Sequence, residues 1–530
     1  MFASLARNIV ITGIAYSVIS LVGLVLAPFL IAVYGLGGYG QILLARLFLP
    51  SASFAFLDLG IAETATRVVA AARHDGKWAE AARALSLLTV MALAVSAILA
   101  LFMVATAWAM PGWLSIAPDQ SAGFTRVMLL TAAIQPILFL SLLLEGAIKG
   151  FERFKQLRLC EVTSAVVYGG LALAAGLGGW GANWVAVALL AGLFVRFLIV
   201  AMFAIRALRA AGFRAGRWTR ATRDDVAGWS KVMLANKILG TIQSQIASPL
   251  IGLLLGPAAV GAFDAAVRLP RFAKTIFSLL SATVLPVSAG LMARDDSAAL
   301  KRLGSYGILA ALAISAPPLL FAMVFSHSLM EHWIGAVASG FWAWQSALFL
   351  VALLNVALSF GGSILLADRA AATALNRLTL WQVALQLVLS LALVQAFAQW
   401  AFVIGQVASV VAVFPFQFAA IRRSLGLDNR LLRQFLLLGA FTGLAAFALR
   451  LLVPAPSLPE LIALAAGFGL VVWGIAPWLL LARDERDQLF ARLPGRRAAA
   501  PAAGLHYAKA RDMIEIGPED QGLANSHGME

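Results

Sequence analysis

Three basic residues occur within seven positions of one largely apolar segment, FDAAVRLPRFAK, at residues 263–274. They are Arg268, Arg271 and Lys274, and Asp264 lies four residues before the first of them. Residues spaced by three or four share one face of a helix, so Asp264, Arg268 and Arg271 are expected to point the same way, with Lys274 rotated further round. Arginine makes bidentate, permanently charged contacts with phosphate. This face therefore has the chemistry of a phosphate-binding surface.

Three more cations, Arg46, Arg196 and Lys237, also lie within apolar stretches. A charge at the centre of a bilayer costs about 2.5–3.5 kcal/mol on insertion scales, or roughly 15–20 kcal/mol for all six. These side chains must therefore face water, counter-ions or an anionic ligand. The sequence predicts a hydrated, net-positive cavity that binds substrate, with Asp58 and Asp264 as gating or ion-pairing acids.

A polar stripe precedes the charged segment. Lys237, Thr241, Ser244, Gln245 and Ser248 recur at close to helical spacing in an otherwise apolar stretch. Two neighbouring polar stripes indicate the wall of a cavity.

Other interpretations remain open for these charges. Residues 275–292 alone are long enough to span a bilayer, so residues 263–274 could instead form an amphipathic segment on the outer surface. An outer basic patch would, however, break the charge asymmetry of the rest of the chain. For Arg46 and Arg196, snorkelling or an internal ion pair is the competing interpretation, and Lys237 could also snorkel inward.

The elements that must position these residues are membrane helices. The chain has 530 residues, of which 62% are hydrophobic and 12% are charged, whereas soluble domains carry about 25% charged residues. A spanning helix needs about 20 apolar residues. The runs predict an all-α integral membrane protein with about fourteen helices, near 8–34, 39–61, 85–108, 124–147, 160–178, 183–205, 230–255, 260–292, 303–325, 342–366, 375–396, 399–420, 433–453 and 459–481.

The basic residues orient these helices. Starting with the N-terminus inside, 32 of the 40 Lys and Arg residues fall on inner segments. The positive-inside rule then places both termini in the cytoplasm. The net charge of +15 is therefore explained by topology, and no nucleic-acid partner is expected. The aperiodic, polar segment 483–530 is predicted to be a flexible cytoplasmic tail.

A weak internal repeat appears at a shift of 221 residues, where Gly35 falls on Gly256 and Gly40 on Gly261. Six intervening helices preserve orientation, so the halves would be parallel repeats with a substrate site between them. We expect six-helix lobes at 1–210 and 211–425, two additional helices at 426–482, and the tail.

Two stretches, LIAVYGLGGYGQILLARLFLPSASFAFLDLGIAETATRVVA and LIGLLLGPAAVGAFDAAVRL, together with SLMEHWIGAVA, carry a family resemblance. The chain resembles bacterial polysaccharide-biosynthesis (O-antigen) flippases of the multidrug/oligosaccharidyl-lipid/polysaccharide exporter superfamily. That resemblance implies two six-helix lobes around a central cavity in the bacterial inner membrane. It also implies alternating-access transport of undecaprenyl-pyrophosphate-linked oligosaccharide for O-antigen, capsule or exopolysaccharide assembly, alongside polysaccharide polymerases and glycosyltransferases.

Competing functions are a peptidoglycan-precursor flippase, a cation-coupled drug antiporter of the same superfamily and, less well supported, a membrane glycan polymerase. An antiporter would be expected to have twelve helices and acidic residues in the membrane. A polymerase would need paired carboxylates, which the outer loops do not offer. HSLMEH, at residues 327–332, lacks the spacing of a zinc site, and no nucleotide-binding loop occurs. We therefore expect a non-enzymatic transporter with no cofactor, no metal and no catalytic residue.

Overall fold

The computed structural model describes residues 2–50, 59–213, 216–278, 296–338, 340–365 and 369–480, with single positions 281, 284, 288, 291, 292 and 486. Every element in these ranges is helical. Eleven of the helices are long and apolar enough to span a membrane, so the chain is a multi-pass membrane protein, as predicted. The number fourteen is not confirmed. The first two predicted helices run together as Gly13–Phe48, with a kink at Gly35 between them. The predicted helices 230–255 and 260–292 do not provide spans among the described residues.

The described residues form seventeen α-helices and two 3-10 turns, and seven of the α-helices belong to the first half. These are α1 (Phe2–Ala45), α2 (Ile61–Asp75), α3 (Trp78–Thr106), α4 (Met110–Trp113), α5 (Pro118–Gly150), α6 (Phe154–Leu177) and α7 (Ala182–Ala210). A 3-10 turn, Arg46–Phe48, extends α1. The second half contains α8 (Arg220–Gln245), α9 (Ala247–Leu255), α10 (Pro257–Ser278), α11 (Ser297–Val324), α12 (Ser326–Ile334), α13 (Trp342–Leu365), α14 (Arg369–Phe397), α15 (Trp400–Ser424), α16 (Arg430–Leu452) and α17 (Leu458–Leu480), with a 3-10 turn at Gly335–Ala338.

The predicted helix 39–61 is wrong as a continuous element. Helical structure ends at Phe48, and Leu49 is extended, with φ −78° and ψ 142°. Leu49 precedes Pro50, and a residue before proline is disfavoured in the α region by a clash with the proline ring. Among the described residues, the next helix is α2, which begins at Ile61.

The predicted helix 230–255 is also divided. It begins earlier, at Arg220, where the Thr219 hydroxyl accepts a hydrogen bond from the Thr222 N–H and caps the helix. It breaks at Ile246, between α8 and α9. The predicted helix 260–292 begins at Pro257, a favoured first helical residue, and its continuous described part ends at Ser278.

Helix packing divides into two groups with one main junction between them. In the first half α1 packs on α6, α6 on α7, and α5 on α2, α3 and α7. In the second half α11 packs on α13 and α16, and α15 packs on α13 and α14. The junction is formed by α10, which packs on both α1 and α13. The predicted boundaries at residues 210 and 425 stay a prediction.

Contacts divide the chain into the compact units Met1–Gly474 and Ile475–Glu530. In the second unit the Arg486 guanidinium lies 5.7 Å from the centre of the Trp478 ring. The rest of the predicted tail, 483–530, lies outside the described residues.

Candidate functional site

A cavity of about 570 Å³ lies between the two halves, next to the junction of α1 and α10. This volume is in the range of ligand-binding pockets. Residues of α1, the turn Arg46–Phe48, α6 and α7 line one side, and residues of α8, α9 and α10 line the other. The charged lining residues are Arg46, Glu161, Arg196, Asp264, Arg268 and Arg271. We call this space the cationic cavity.

Asp264 and Arg268 on α10 are paired, as their spacing predicted. The Arg268 guanidinium donates to Asp264 Oδ2 through Nη2, at 2.6 Å, and through Nε, at 3.0 Å. Its Nη1 donates to the Gly23 carbonyl on α1, at 2.8 Å. Tyr39 donates its hydroxyl to the same Asp264 oxygen at 2.6 Å. Asp264 is therefore neutralised by Arg268 and tied to α1.

Arg196 belongs to a second, internally neutral group. Its Nη2 lies 2.8 Å from Glu145 Oε2 and 3.5 Å from Glu161 Oε1. Arg158 forms an ion pair with Glu161, and the Ser141 hydroxyl donates to Glu145. Two guanidinium groups face two carboxylates here, so the internal ion pair that competed with the ligand-binding interpretation of Arg196 is the observed arrangement.

The excess positive charge of the cavity resides on two residues. The Arg46 side chain has no ion-pair or hydrogen-bond partner within the part of the chain that the structure describes. The Arg271 side chain is 46% exposed, and its Nη1 lies 3.6 Å from Asp264 Oδ1, beyond hydrogen-bond distance. Because Asp264 already compensates Arg268, these two guanidinium groups are available to an anion.

The structure places only part of the predicted polar stripe on the cavity. Gln245 and Ser248, three residues apart, line it. Thr241 is buried and Ser244 is exposed, and neither is a lining residue. Helix α8 ends at Gln245 and α9 begins at Ala247, so the predicted stripe is divided between two helices.

Lys274, which was predicted to face the cavity, is not among its lining residues. It is exposed and lies six residues from Arg268, which is about 120° around the helix. Thr275, four residues after Arg271, lies on the cavity instead. The Lys237 side chain and all of Asp58 lie outside the described residues.

The interpretation of residues 263–274 as an isolated surface segment does not fit the packing of α10. Phe263, Ala265 and Val267 are buried, and the helix lies against α1 and α13. The basic face of α10 therefore belongs to the junction between the halves.

Several residues of this site were missed at the level of sequence. Glu145, Glu161, Arg158 and Tyr39 all contribute to the charge networks. The signal for Glu145 was its place inside the apolar stretch SLLLEGAI, and the signal for the Arg158–Glu161 pair was its three-residue spacing on one helix. Nothing in the sequence marked the hydroxyl of Tyr39.

Solved structures with the same fold are transporters. The lipid II flippase MurJ in an inward closed conformation aligns with a TM-score of 0.65 at 12% identity, covering 90% of this chain and 98% of that one. An inward-facing multidrug resistance MATE family transporter of the MOP superfamily aligns with a TM-score of 0.65 at 14% identity, covering 78% and 98%. A MOP superfamily transporter from Pyrococcus furiosus, described by the reverse polarity of its binding pocket, aligns with a TM-score of 0.55 at 14% identity, covering 80% and 95%.

No curated protein sequence matches the chain. The sequence profile of the family described as polysaccharide biosynthesis protein matches residues 39–337. That match spans more than half of the chain and contains most of the cationic cavity, including Arg46, Arg196 and Arg271. The chain belongs to the polysaccharide biosynthesis protein family and has the fold of the multidrug/oligosaccharidyl-lipid/polysaccharide exporter superfamily.

Proposed function

We propose that this protein is a flippase that moves undecaprenyl-pyrophosphate-linked oligosaccharide from the cytoplasmic to the outer leaflet of the bacterial inner membrane by alternating access. The observation that carries this proposal is the cationic cavity, in which Arg268 and Arg271 share the single carboxylate of Asp264 and Arg46 makes no ion pair among the described residues. The family match supports a role in polysaccharide assembly, and the transporter fold supports movement of cargo rather than chemical conversion of it.

The charge pattern favours a phosphorylated cargo over a cationic one. Arg46 and Arg271 approach the cavity from opposite halves of the chain, and a pyrophosphate offers several oxygens to both guanidinium groups. A cationic drug would meet an excess of positive charge on the lining. A polyprenyl tail can remain in lipid while the head group passes the low-dielectric interior.

The proposal includes an orientation and a division of the chain. Both termini face the cytoplasm, and residues 1–210 and 211–425 move as two lobes, with residues 426–482 as an additional helical pair. Polysaccharide polymerases and glycosyltransferases are the expected partners, because they would supply or consume the lipid-linked sugar.

The test is translocation in liposomes containing the purified protein. A labelled polyprenyl-pyrophosphate sugar is followed by the accessibility of its head group from outside. We expect Arg268→Glu with Arg271→Glu to abolish translocation while Arg126→Glu, at an exposed position elsewhere, preserves it. Full activity in the doubly substituted protein would remove the cavity from the mechanism.

A second candidate cargo is a peptidoglycan precursor. The alignment with the lipid II flippase covers 90% of this chain, more than the 78% covered by the multidrug transporter. Both cargoes contain a polyprenyl pyrophosphate, so the cavity does not separate them. The same liposomes loaded with lipid II decide the question: translocation of lipid II alone would favour the peptidoglycan precursor.

A further inference from the structure

Two glycine-containing segments related by the shift of 221 residues contact each other reciprocally. A Cβ atom at Gly40 would lie 1.7 Å from the Pro257 carbonyl oxygen, and one at Gly261 would lie 2.3 Å from the Leu36 carbonyl oxygen. Leu36 and Pro257 are themselves related by the shift. The same backbone contact is therefore made twice, as at an isologous interface. We call residues 36–40 against 257–261 the glycine contact.

Hydrogen bonds next to the glycine contact join the same two halves. Tyr39, within the first segment, donates to Asp264, which lies one turn beyond Gly261 on α10. Arg268 donates to the Gly23 carbonyl, and the Trp333 indole N–H donates to the Leu24 carbonyl at 2.9 Å. Tyr39, Asp264 and Arg268 also line the cationic cavity. The closed contact and the cavity thus share side chains.

Asp264 connects the hydrogen bond between the two halves with the arginines of the cationic cavity. It accepts the cross-half hydrogen bond from Tyr39, and it also neutralises Arg268 and lies near Arg271. A pyrophosphate in the cavity would compete with Asp264 for the same guanidinium donors. Its carboxylate, 9% exposed, would then lose its compensation, which is strongly unfavourable for a buried charge. Separation of the two halves relieves this cost by admitting water.

We propose that Asp264 is a positioning residue that couples anion binding in the cationic cavity to separation of the glycine contact. This inference rests on the proposed function for the identity of the anion. The expected sequence of events is binding of the diphosphate at Arg46 and Arg271, transfer of the Arg268 guanidinium from Asp264 to the anion, release of Asp264 from Tyr39, and opening of the contact.

The experiment measures the distance between the halves on the full chain in nanodiscs. Cys160, the single cysteine, is replaced by Cys160→Ser, and spin labels are attached at Trp180→Cys and Val337→Cys. These positions are exposed and flank the packed cluster that contains Tyr39 and Ala265. Distance distributions are recorded with inorganic pyrophosphate and with sulfate at equal ionic strength, and pyrophosphate binding is measured separately by calorimetry.

We expect pyrophosphate, but not sulfate, to shift the unsubstituted protein toward longer distances. Tyr39→Phe and Asp264→Asn should raise the ratio of long to short distances about tenfold without any anion, because each weakens a hydrogen bond involving a charged group. Both variants should then lose most of the response to pyrophosphate. Tyr34→Phe is the matched control. Tyr34 lies on the same helix as Tyr39 but does not line the cavity, and its hydroxyl has no hydrogen-bond partner among the described residues.

Failure of this inference and failure of the proposed function are distinguishable. Pyrophosphate binding without a change in distance overturns the coupling and leaves the proposed function standing. An absence of pyrophosphate binding overturns both. Distances in Tyr39→Phe and Asp264→Asn that match the unsubstituted protein also overturn the coupling. Melting curves establish that each variant is folded, and Tyr39→Phe decides the result if Asp264→Asn does not fold.

Discussion

Cationic side chains in this protein differ chiefly in whether a carboxylate compensates them. Arg196 and Arg268 each lie within 2.8 Å of a buried acid. These ion pairs hold neighbouring residues of the cavity wall in place. Arg46 and Arg271 carry the charge that remains. A residue's type and its place in an apolar run did not distinguish these two groups, because the distinction depends on which acids neighbouring helices bring to it.

Arg271 and Lys274 provide a comparison within one helix. We expect Arg271→Gln to weaken pyrophosphate binding at least about tenfold, since a hydrogen bond to a charged group is worth about 1.5–3 kcal/mol. Lys274→Gln removes the same charge three residues away, outside the cavity, and should leave the affinity within about twofold. Calorimetry on the purified protein measures both. Equal losses in the two variants would show that total charge, rather than the cavity arginine, governs binding.

Glu145 is expected to matter for stability. Its side chain is 7% exposed, and it compensates Arg196. Removing one partner of a buried ion pair destabilises a protein by about 3–5 kcal/mol, because the other charge is left buried. Glu145→Ala should therefore lower the melting temperature markedly in detergent. Glu331→Ala, at a side chain that is 63% exposed, serves as the control, and an equal melting temperature in both variants would contradict the structural role of Glu145.

At the scale of helices, apolar runs predicted the long elements well because length and hydropathy suffice to define a membrane span. Trp342–Leu365 and Leu458–Leu480, for example, fall within two residues of the predicted 342–366 and 459–481. The breaks at Leu49 and Ile246 were missed. At Leu49 the cause, a following proline, is local and visible. At Ile246 the sequence offers a weaker signal, Pro249 three residues later, which was not used. The proximity of Asp264 and Arg268 could be inferred from their four-residue spacing on one helix. Contacts between different helices could not be inferred from spacing along the chain.

Gly35 and Gly256 show how the repeat is built into the backbone. Gly35 has φ 66° and ψ 178°, and Gly256 has φ 81° and ψ −178°. This conformation is essentially restricted to glycine. The two positions are related by the shift of 221 residues, so the same kink precedes each segment of the glycine contact. The repeat that the sequence indicated weakly is therefore present as a repeated backbone conformation.

Gly35 and Gly37 allow a direct test of that kink. Gly35→Ala should destabilise the protein by about 1–3 kcal/mol, because alanine is strained in this conformation. Gly37 has no positive φ, and a Cβ there would meet no neighbour within 4 Å. Gly37→Ala should be neutral or slightly stabilising, since alanine has the higher helix propensity. The melting temperatures of both variants are measured by thermal unfolding. Equal melting temperatures would show that the kink at Gly35 does not contribute to stability.

At the scale of the whole chain, the cavity depends on both halves. Arg46 and Arg196 come from the first half, and Asp264, Arg268 and Arg271 come from the second. Neither half alone presents the uncompensated pair Arg46 and Arg271 to one ligand. Relative motion of the halves would therefore change the binding site itself, which is what alternating access requires.

Direction of transport depends on which face of the membrane each loop occupies. The positive-inside rule predicts that His74, in the last turn of α2, lies on the cytoplasmic side and that Trp180, between α6 and α7, lies outside. Both side chains are exposed, at 91% for His74 and 52% for Trp180. Cys160 is buried, so the unsubstituted protein should resist an impermeant thiol reagent and provides the background for labelling.

In the Cys160→Ser protein, we expect Trp180→Cys to react with an impermeant maleimide in intact spheroplasts, whereas His74→Cys should react only after the membrane is permeabilised. The expected difference arises because positively charged loops are retained on the cytoplasmic side during insertion. In inverted membrane vesicles we expect the opposite result: His74→Cys should react, and Trp180→Cys should react only after permeabilisation. Labelling of His74→Cys in intact spheroplasts would reverse the orientation. The proposed direction of transport would then be reversed.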